Sequence, residues 1–291
     1  MNKYTTIIIP SYRSKKLILT HIKRFSKNFK IIIVENSNDK SFKEIVENKY
    51  KNVDIYLKNN LGFGRAVNFA SKKVKTKFFF IINPDTKIYQ NTLRNLLNAT
   101  KKIDKFGAIG PVYVNQKSKY KKNTIIETKK IIAAAMLVET KIFKSIKGFD
   151  KNYFLYYEDD DYFKKCNSLN LKLYHITNSF ITHKKIKKMK KTLNLHSTSF
   201  SNIEEKNSTY IIGGWHGQWS KFYYFKKYNG LISALLICLP NVLINIIQLI
   251  PYIFYNPVKA KYKYFKIEGF FCSLLGLPSF KRSKFDKKYL F

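Results

Sequence analysis

The chain has 291 residues, 45% hydrophobic and 25% charged, with 55 Lys+Arg against 18 Asp+Glu and a formal net charge of +37. That length buries a substantial core and that balance excludes a disordered chain, while the charge points to an anionic partner: nucleic acid, phosphorylated metabolites or an acidic membrane face. Only five basic residues are arginine, Arg13, Arg24, Arg65, Arg94 and Arg282, and so few bidentate guanidinium groups argue against a reader of nucleic-acid sequence.

Along the first hundred residues, "TTIIIP", "KIIIVE", "VDIYL" and "KFFFIINP" are short apolar runs bounded by breakers, as buried parallel strands are. Helix-length stretches lie between and after them, at Lys15–Ser26, Ser41–Asn48, roughly Gly64–Lys73 and near Gln90–Lys101. Repeated βαβ units predict an α/β fold, a parallel sheet with helices on both faces. Ligands of such sheets bind at the carboxyl ends of the strands. Those ends carry Pro10-Ser11-Tyr12, Glu35-Asn36-Ser37 and Asn83-Pro84-Asp85.

Asp85 follows five apolar residues and sits where a hard cation could find an oxygen ligand, although Asn-Pro and Asp also mark ordinary turns. "NNLGFGRAVNFA" (Asn59–Ala70) pairs two glycines with Arg65 at a helix start, which favours phosphate. It lacks both the dinucleotide fingerprint and the P-loop Gly-Lys-Ser/Thr.

In the middle third, Ile131–Glu139 ("IIAAAMLVE") reads as a strand. Glu158, Asp159, Asp160 and Asp161 form an unbroken acidic run that opens a helix over Tyr162–Leu169. A helix dipole accounts for one or two such acids; four together make sense if a cation or a proton in transit offsets their repulsion. "LKLYHI" is a further strand, His183 ends "NSFITH" as a ligand or a strand-end histidine, and His183–Lys191 is a basic loop.

The tail changes character. Leu231–Tyr255 holds 25 residues without a charge, long enough to span hydrocarbon. Pro240 and Pro251 interrupt it, and Asn241, Asn245 and Gln248 form one polar stripe, so the favoured reading is an amphipathic helix begun by Pro240. Flanking "KFYYFKKY" and "PYIFYNPVKAKYKYFK" suit a bilayer–water boundary. A true span, a re-entrant hairpin, a soluble core helix and a homodimer helix are the alternatives. Cys166, Cys238 and Cys272 form no C-x-x-C pair, which fits a reducing compartment, and the N-terminal apolar run is too short for a signal peptide. A cytoplasmic location is therefore expected.

Taken in order, "IIIPSYRS", "IIIVENSND", "NNLGFGRAVNFA", "FFFIINPDT", "IKGFDKNYFLYYEDDDYFKKC" and "SFITH" resemble a family 2 glycosyltransferase of the GT-A fold. "WHGQWSKFYYFKKYNG" and "KYFKIEGFFCSLLGLPSFKR" extend that resemblance to the tail of the rhamnosyltransferase-like group acting on bacterial surface polysaccharide. It implies a Rossmann-like mixed sheet flanked by helices over 1–210, with a nucleotide-sugar half at 1–105 and an acceptor half at 106–210. A helical, membrane-associating extension would follow at 211–291.

Carried over by position, Pro10, Ser11 and Tyr12 would line the nucleotide base pocket and Glu35 would contact the base. Arg65 would lie near the base or phosphates. Asp85 would bind Mn²⁺ or Mg²⁺ on the donor diphosphate, with His183 a further metal or diphosphate ligand. Asp159 would be the catalytic base and Asp161 its support. Two positions depart from the family pattern: Glu35 replaces an Asp, and Asn83 replaces the first Asp of the metal motif while remaining on the nucleotide-sugar side. The implied partners are a dTDP-, UDP- or GDP-linked sugar, a lipid-linked saccharide acceptor and an anionic membrane surface, with no nucleic acid. A nucleic-acid-binding protein or a non-catalytic membrane-associated scaffold is the rival reading; neither uses the acidic run.

Overall fold

A computed structural model describes residues 3–183, 203–283 and 286. The chain forms two compact units. Met1–Phe149 and the described residues from Asp159 to His183 make the first; Asp150–Glu158 and the described residues from 203 onward make the second. Most of the proposed basic loop 183–191 lies outside the described residues.

The first unit opens with β1 (Thr5–Ser11), α1 (Lys15–Phe25), β2 (Lys30–Glu35), α2 (Lys40–Lys49), β3 (Val53–Leu57), α3 (Phe63–Ser71) and β4 (Phe78–Ile82). There follow β5 (Thr86–Ile88), α4 (Thr92–Ala99), β6 (Ala108–Tyr113), a 3₁₀ turn, β7 (Ile125–Thr128), β8 (Ala135–Glu139), α5 (Thr140–Ser145), α6 (Glu158–Ser168) and β9 (Leu173–His183). One sheet runs β3-β2-β1-β4-β8-β6-β9-β5, and β7 pairs with β9.

The strands β3, β2, β1 and β4 are mutually parallel, as the uninterrupted apolar runs of β1, β2 and β4 predict; β3, at the sheet edge, carries Asp54. Ile7, Ile9, Ile31, Ile33, Phe80 and Ile82 enter a core with α1, α2 and α4, while Ile8, Ile32, Val34, Phe79 and Ile81 enter another with α3, α5 and α6. Burial on both faces removes the polar alternation of a one-sided sheet.

The sheet as a whole is mixed: β8 runs antiparallel to β4 and β6, as β5 and β7 do to β9. The parallel order that the βαβ pattern predicts for the first hundred residues runs from β3 to β4, β6 and β9 also pair parallel, and the whole is the mixed sheet flanked by helices that the resemblance implies. In the order 3-2-1-4 the chain reverses direction across the sheet between β1 and β4, and a crevice opens outside the carboxyl ends at such a point.

Two local expectations are corrected. The acidic run does not precede its helix: α6 begins at Glu158, so all four acids occupy its first turn. Tyr162, Phe163 and Cys166 bury its other side, and the Tyr162 hydroxyl donates to Gly107 O at 2.8 Å.

Pro240, likewise, does not begin a helix. In the second unit α7 (Ile203–Tyr255) runs through Pro240 and Pro251 and is broken only at Gly230, whose φ of 81° and ψ of 172° are glycine geometry. Each proline removes an N–H and frees a carbonyl one turn earlier; Lys221 Nζ donates to Ile237 O at 3.4 Å, just upstream of Pro240. α8 (Pro257–Leu274) then begins with Pro257 at its first turn and an Asn256 cap on Lys259 N. Phe222, Ala234, Cys238, Val242 and Phe270 form the core between α7 and α8.

Candidate active site

The carboxyl ends of β1 and β2 are laced together around Glu35. This side chain is 1% exposed. Ser11 Oγ donates to Oε2 at 2.6 Å, Ser37 N donates to Oε1 at 2.8 Å, and the Ser37 hydroxyl donates to Oε1 as well. Glu35 therefore lies beneath the strand-end rim with both oxygens engaged. Oε1 takes two donors and Oε2 one, so the acceptor site left for a direct contact to a base is on Oε2.

Above it, Pro10 and Ser11 are buried and Tyr12 is half-buried. Arg13 turns left-handed (φ 49°), donates its N–H to Ser37 Oγ at 3.3 Å and lays its guanidinium 5.4 Å from the Tyr12 ring centre. The lacing continues into the glycine segment: Asn60 N donates to Asn36 O at 2.9 Å, and Leu61 N to Asn36 Oδ1 at 3.1 Å. Gly62, at φ 79°, makes the turn into α3. Arg65 stands half-buried in the first turn of that helix, which has no acidic residue. A helix N-terminus so arranged favours an anion.

Across the reversal point, Asn83, Pro84 and Asp85 connect β4 to β5. Asn83 N donates to Ala134 O at 2.9 Å, Thr86 N closes the turn onto Asn83 O at 3.0 Å, and His21 Nε2 donates to Pro84 O at 3.0 Å. Burial holds the His21 imidazole below its ordinary value, so it serves as a neutral donor at neutral pH.

Because Thr86 of β5 pairs with His183 of β9, sheet register brings His183 Nε2 to 3.1 Å from Asp85 Oδ1 across 98 residues of sequence. Asn83 Oδ1 and His183 Nδ1 are buried without a hydrogen-bond partner. Tyr113, at the end of β6, is raised above its ordinary phenol value by burial and by the Asp85 charge.

This donor set fits a divalent cation: a carboxylate, an imidazole and an unsatisfied amide oxygen near the strand end. Among the described residues no three His, Cys, Asp or Glu side chains group to hold a metal. A cation here would thus complete its coordination with water and substrate phosphate, as magnesium-type sites do.

The acids of α6 have divided environments. Asp161 is wholly buried, 3.9 Å from Lys165 Nζ, which itself donates to Gly148 O at 3.0 Å. Asp160 pairs with Lys130. Asp159 Oδ1 accepts the Asp160 N–H at 3.0 Å. Burial, then the Asp160 charge, push the Asp159 carboxyl above the ordinary carboxylate value, while Lys130 pulls the other way.

Immediately before α6, Tyr156 and Tyr157 both adopt left-handed backbone (φ 68° and 64°). For bulky side chains this costs roughly 1–3 kcal/mol each, and strain of this kind gathers at functional sites.

Asp85 and Asp159 belong to the same compact unit, linked by a short strap. Asn167 Nδ2 donates to Lys129 O at 3.2 Å and Lys130 holds Asp160, while Ala134, four residues on, accepts from Asn83. Four residues reach at most about 14 Å. Sequence reasoning missed His21, Tyr113 and Lys130. Each acts across a long sequence separation and carries no motif of its own.

Comparisons with known proteins bear on the family and the fold. The model of "Glycosyl transferase family 2" matches residues 6–177. An uncharacterized glycosyltransferase of Rickettsia typhi is 22% identical over 259 residues, covering 79% of this chain and 81% of its own, and a Rickettsia prowazekii counterpart is 24% identical over 260. Among solved structures, a mannosyltransferase from Pyrobaculum calidifontis in complex with GDP-Man and Mn²⁺ superposes with a TM-score of 0.55 at 12% identity, over 95% of this chain and 88% of its own. S. aureus TarS 1-349 in complex with UDP-GlcNAc gives 0.52 at 14% identity, over 94% and 92%. These likenesses show the GT-A-like fold, and with the family match the chain belongs to glycosyl transferase family 2.

Proposed function

We propose that this glycosyltransferase is an inverting, metal-dependent enzyme that moves a sugar from a nucleoside-diphosphate donor to a hydroxyl of a lipid-linked saccharide, at the cytoplasmic face of a membrane, in cell-surface polysaccharide synthesis. The observation that carries it is the Asp85–His183 pair, set by the β5–β9 register just after the carboxyl end of β4. The solved relatives bound to GDP-Man with Mn²⁺ and to UDP-GlcNAc support a nucleotide-sugar donor. The tail of the rhamnosyltransferase-like group makes rhamnose the first sugar to test.

In this reading Pro10, Ser11 and Tyr12 line the base pocket, and Glu35 holds its floor through Ser11 and Ser37. Arg65 and the start of α3 face the phosphates, with Asn83 beside them. Asp85 and His183 would hold Mn²⁺ or Mg²⁺, which offsets charge on the departing diphosphate. The acceptor oxygen attacks the anomeric carbon as the bond from that carbon to the diphosphate breaks, and the hydroxyl proton passes to the Asp159 carboxylate. Asp160 raises the proton affinity of Asp159, Lys130 moderates it, and Asp161 anchors the turn on Lys165.

A panel of dTDP-, UDP- and GDP-sugars with a polyprenyl-diphosphate saccharide, read by nucleotide release with Mn²⁺ or Mg²⁺, tests the reaction. Asp85→Ala is expected to abolish metal-dependent nucleotide binding. Identical titrations with and without Mn²⁺ in the parent and the variant would contradict the metal role.

A further inference from the structure

Periodicity along 231–255 gives two faces, and the structure fixes which one is covered. Ala234, Cys238, Val242 and Asn245 are buried, and the polar stripe turns the same way: Asn245 Nδ2 donates to Asn241, and Gln248 Oε1 accepts from Lys263 of α8. The outward side is apolar. Ile232, Leu236, Leu243, Ile247, Ile250 and Phe254 recur every three, four or seven residues, and each is more than half exposed. The helix is therefore amphipathic in reverse, polar toward protein and greasy toward the outside. A soluble surface has no use for this.

Lysines gather on the α8 side of this helix, above its apolar face. Lys221 reaches Ile237 O, Lys263 reaches Gln248, and Lys259 sits 5.2 Å from the Tyr252 ring centre. At about 100° per residue, positions 237 and 248 lie roughly a third of a turn from the stripe of 236, 247 and 250 and position 252 nearly half a turn, so these lysines sit on the α8 side, above the apolar face, where headgroups meet a helix lying flat. Lys266 adds to the row: burial and its neighbours Lys263 and Lys221 push it down to about 8. Among the described residues none of Lys221, Lys263 and Lys266 pairs with a carboxylate. An anion beside them would relieve this repulsion.

By length and composition the helix is also able to cross a membrane. However, α8 is packed along its covered side and brings Lys259, Lys261, Lys263 and Lys266. A span would draw these ammonium groups into hydrocarbon, where they are costly. We propose that 231–255 lies flat in the surface of an anionic bilayer, its isoleucine–leucine face among the acyl chains and Lys221, Lys263 and Lys266 on lipid phosphates. This deepens the membrane side of the proposed function, naming how the chain lies and which lipid chemistry it selects. It stands independently of the sugar transferred.

The test is co-sedimentation of the full chain with vesicles of phosphatidylcholine alone or with one part in three phosphatidylglycerol, followed by an alkaline carbonate wash. Expected are binding that depends on phosphatidylglycerol, weakening with salt and release by carbonate. Ile247→Glu should lower partitioning about tenfold at unchanged melting temperature. Lys221→Gln, Lys263→Gln and Lys266→Gln together should lower it about fivefold per lysine while leaving residual binding to neutral vesicles.

Carbonate-resistant protein would overturn the flat arrangement while sparing membrane association. No binding to either vesicle would overturn both. A dimer in light scattering that Ile247→Glu converts to monomer, without vesicle binding, would assign the face to a second copy instead. Transfer to a water-soluble saccharide acceptor without vesicles reads the catalytic proposal separately.

Discussion

Replacing Glu35 tests how the nucleotide rim is built. The carboxylate accepts from Ser11 Oγ at 2.6 Å and from both Ser37 N and Ser37 Oγ, at 1% exposure. Hydrogen bonds to a charged acceptor contribute about 1.5–3 kcal/mol each, and a buried donor left unmatched costs about 1–3 kcal/mol. The three bonds share one carboxylate and are not additive. Glu35→Ala should therefore destabilise the fold by about 3–5 kcal/mol. At about 2–4 °C per kcal/mol for a unit of this size, the melt should fall by roughly 6–20 °C.

Glu35→Gln retains one acceptor oxygen but turns an amide N–H₂ toward hydroxyl donors, so about half that loss is expected. Thermal melts followed by circular dichroism, paired with nucleotide titration, separate the two jobs proposed for this residue. A rim lock predicts that melting and binding weaken together in both variants. A melt for Glu35→Ala within about 2 °C of the parent would refute it, since the 3–5 kcal/mol expected amounts to at least three times that shift.

Further outcomes follow from the same structure. Asp159→Asn should cut transfer by about 10²–10⁴-fold, the scale of general-base catalysis, with nucleotide binding kept. Because burial raises the Asp159 carboxyl in the folded state, its contribution to stability is present below the unfolded carboxylate value and lost as pH rises through the folded one. Asp159→Asn should thus melt above the parent at pH 7, with the gap closing in acid, and a gap that widens in acid would contradict the assignment.

His216 is buried between Ser279 Oγ and Lys281 O, and burial pushes it down to about 3. The second unit should lose stability as pH falls from about 6.5 toward 3, by up to about 3–5 kcal/mol; proteolysis of the tail across that range reads the effect, and a flat profile refutes it. A Cβ on Gly269 would stand 2.3 Å from the Trp215 carbonyl oxygen. Gly269→Ala should therefore cost about 1–3 kcal/mol, seen as a lower melt.

Legibility in the sequence followed burial. β1, β2 and β4 each carry four or five successive apolar residues (7–10, 31–34 and 78–82) because helices cover both faces, so their strand character and parallel order could be read directly. β6 ("AIGPVY") holds a glycine and a proline and reads as a breaker, yet it is central in the sheet. β5 has three residues and β7 four, too short for a period to register. The start of α6 was obscured because four adjacent acids argue against a helix until their separate partners, Lys130 and Lys165, are known. In the tail, spacing revealed the polar stripe but not its direction; periodicity gives phase, and only a neighbour such as α8 says which side is inward. Pro240 sits inside α7 rather than at its start, although its ring removes a backbone hydrogen bond there, and sequence alone argues for the start. For the site, a resemblance named Asp85 and His183 together, whereas the hydrogen bonds from His21 and the charge of Lys130 needed the folded chain.

The pairing of Thr86 with His183 has a consequence for assembly. In an antiparallel pair a slip of one position turns each side chain to the opposite face, and Thr182 would then stand where the imidazole belongs. A slip of the last β9 positions would accordingly erase the cation-ready edge and at the same time turn Ile181 out of the core. Building the edge strand and readying the chemistry are one folding event, and the core residue beside His183 guards the register that the chemistry needs.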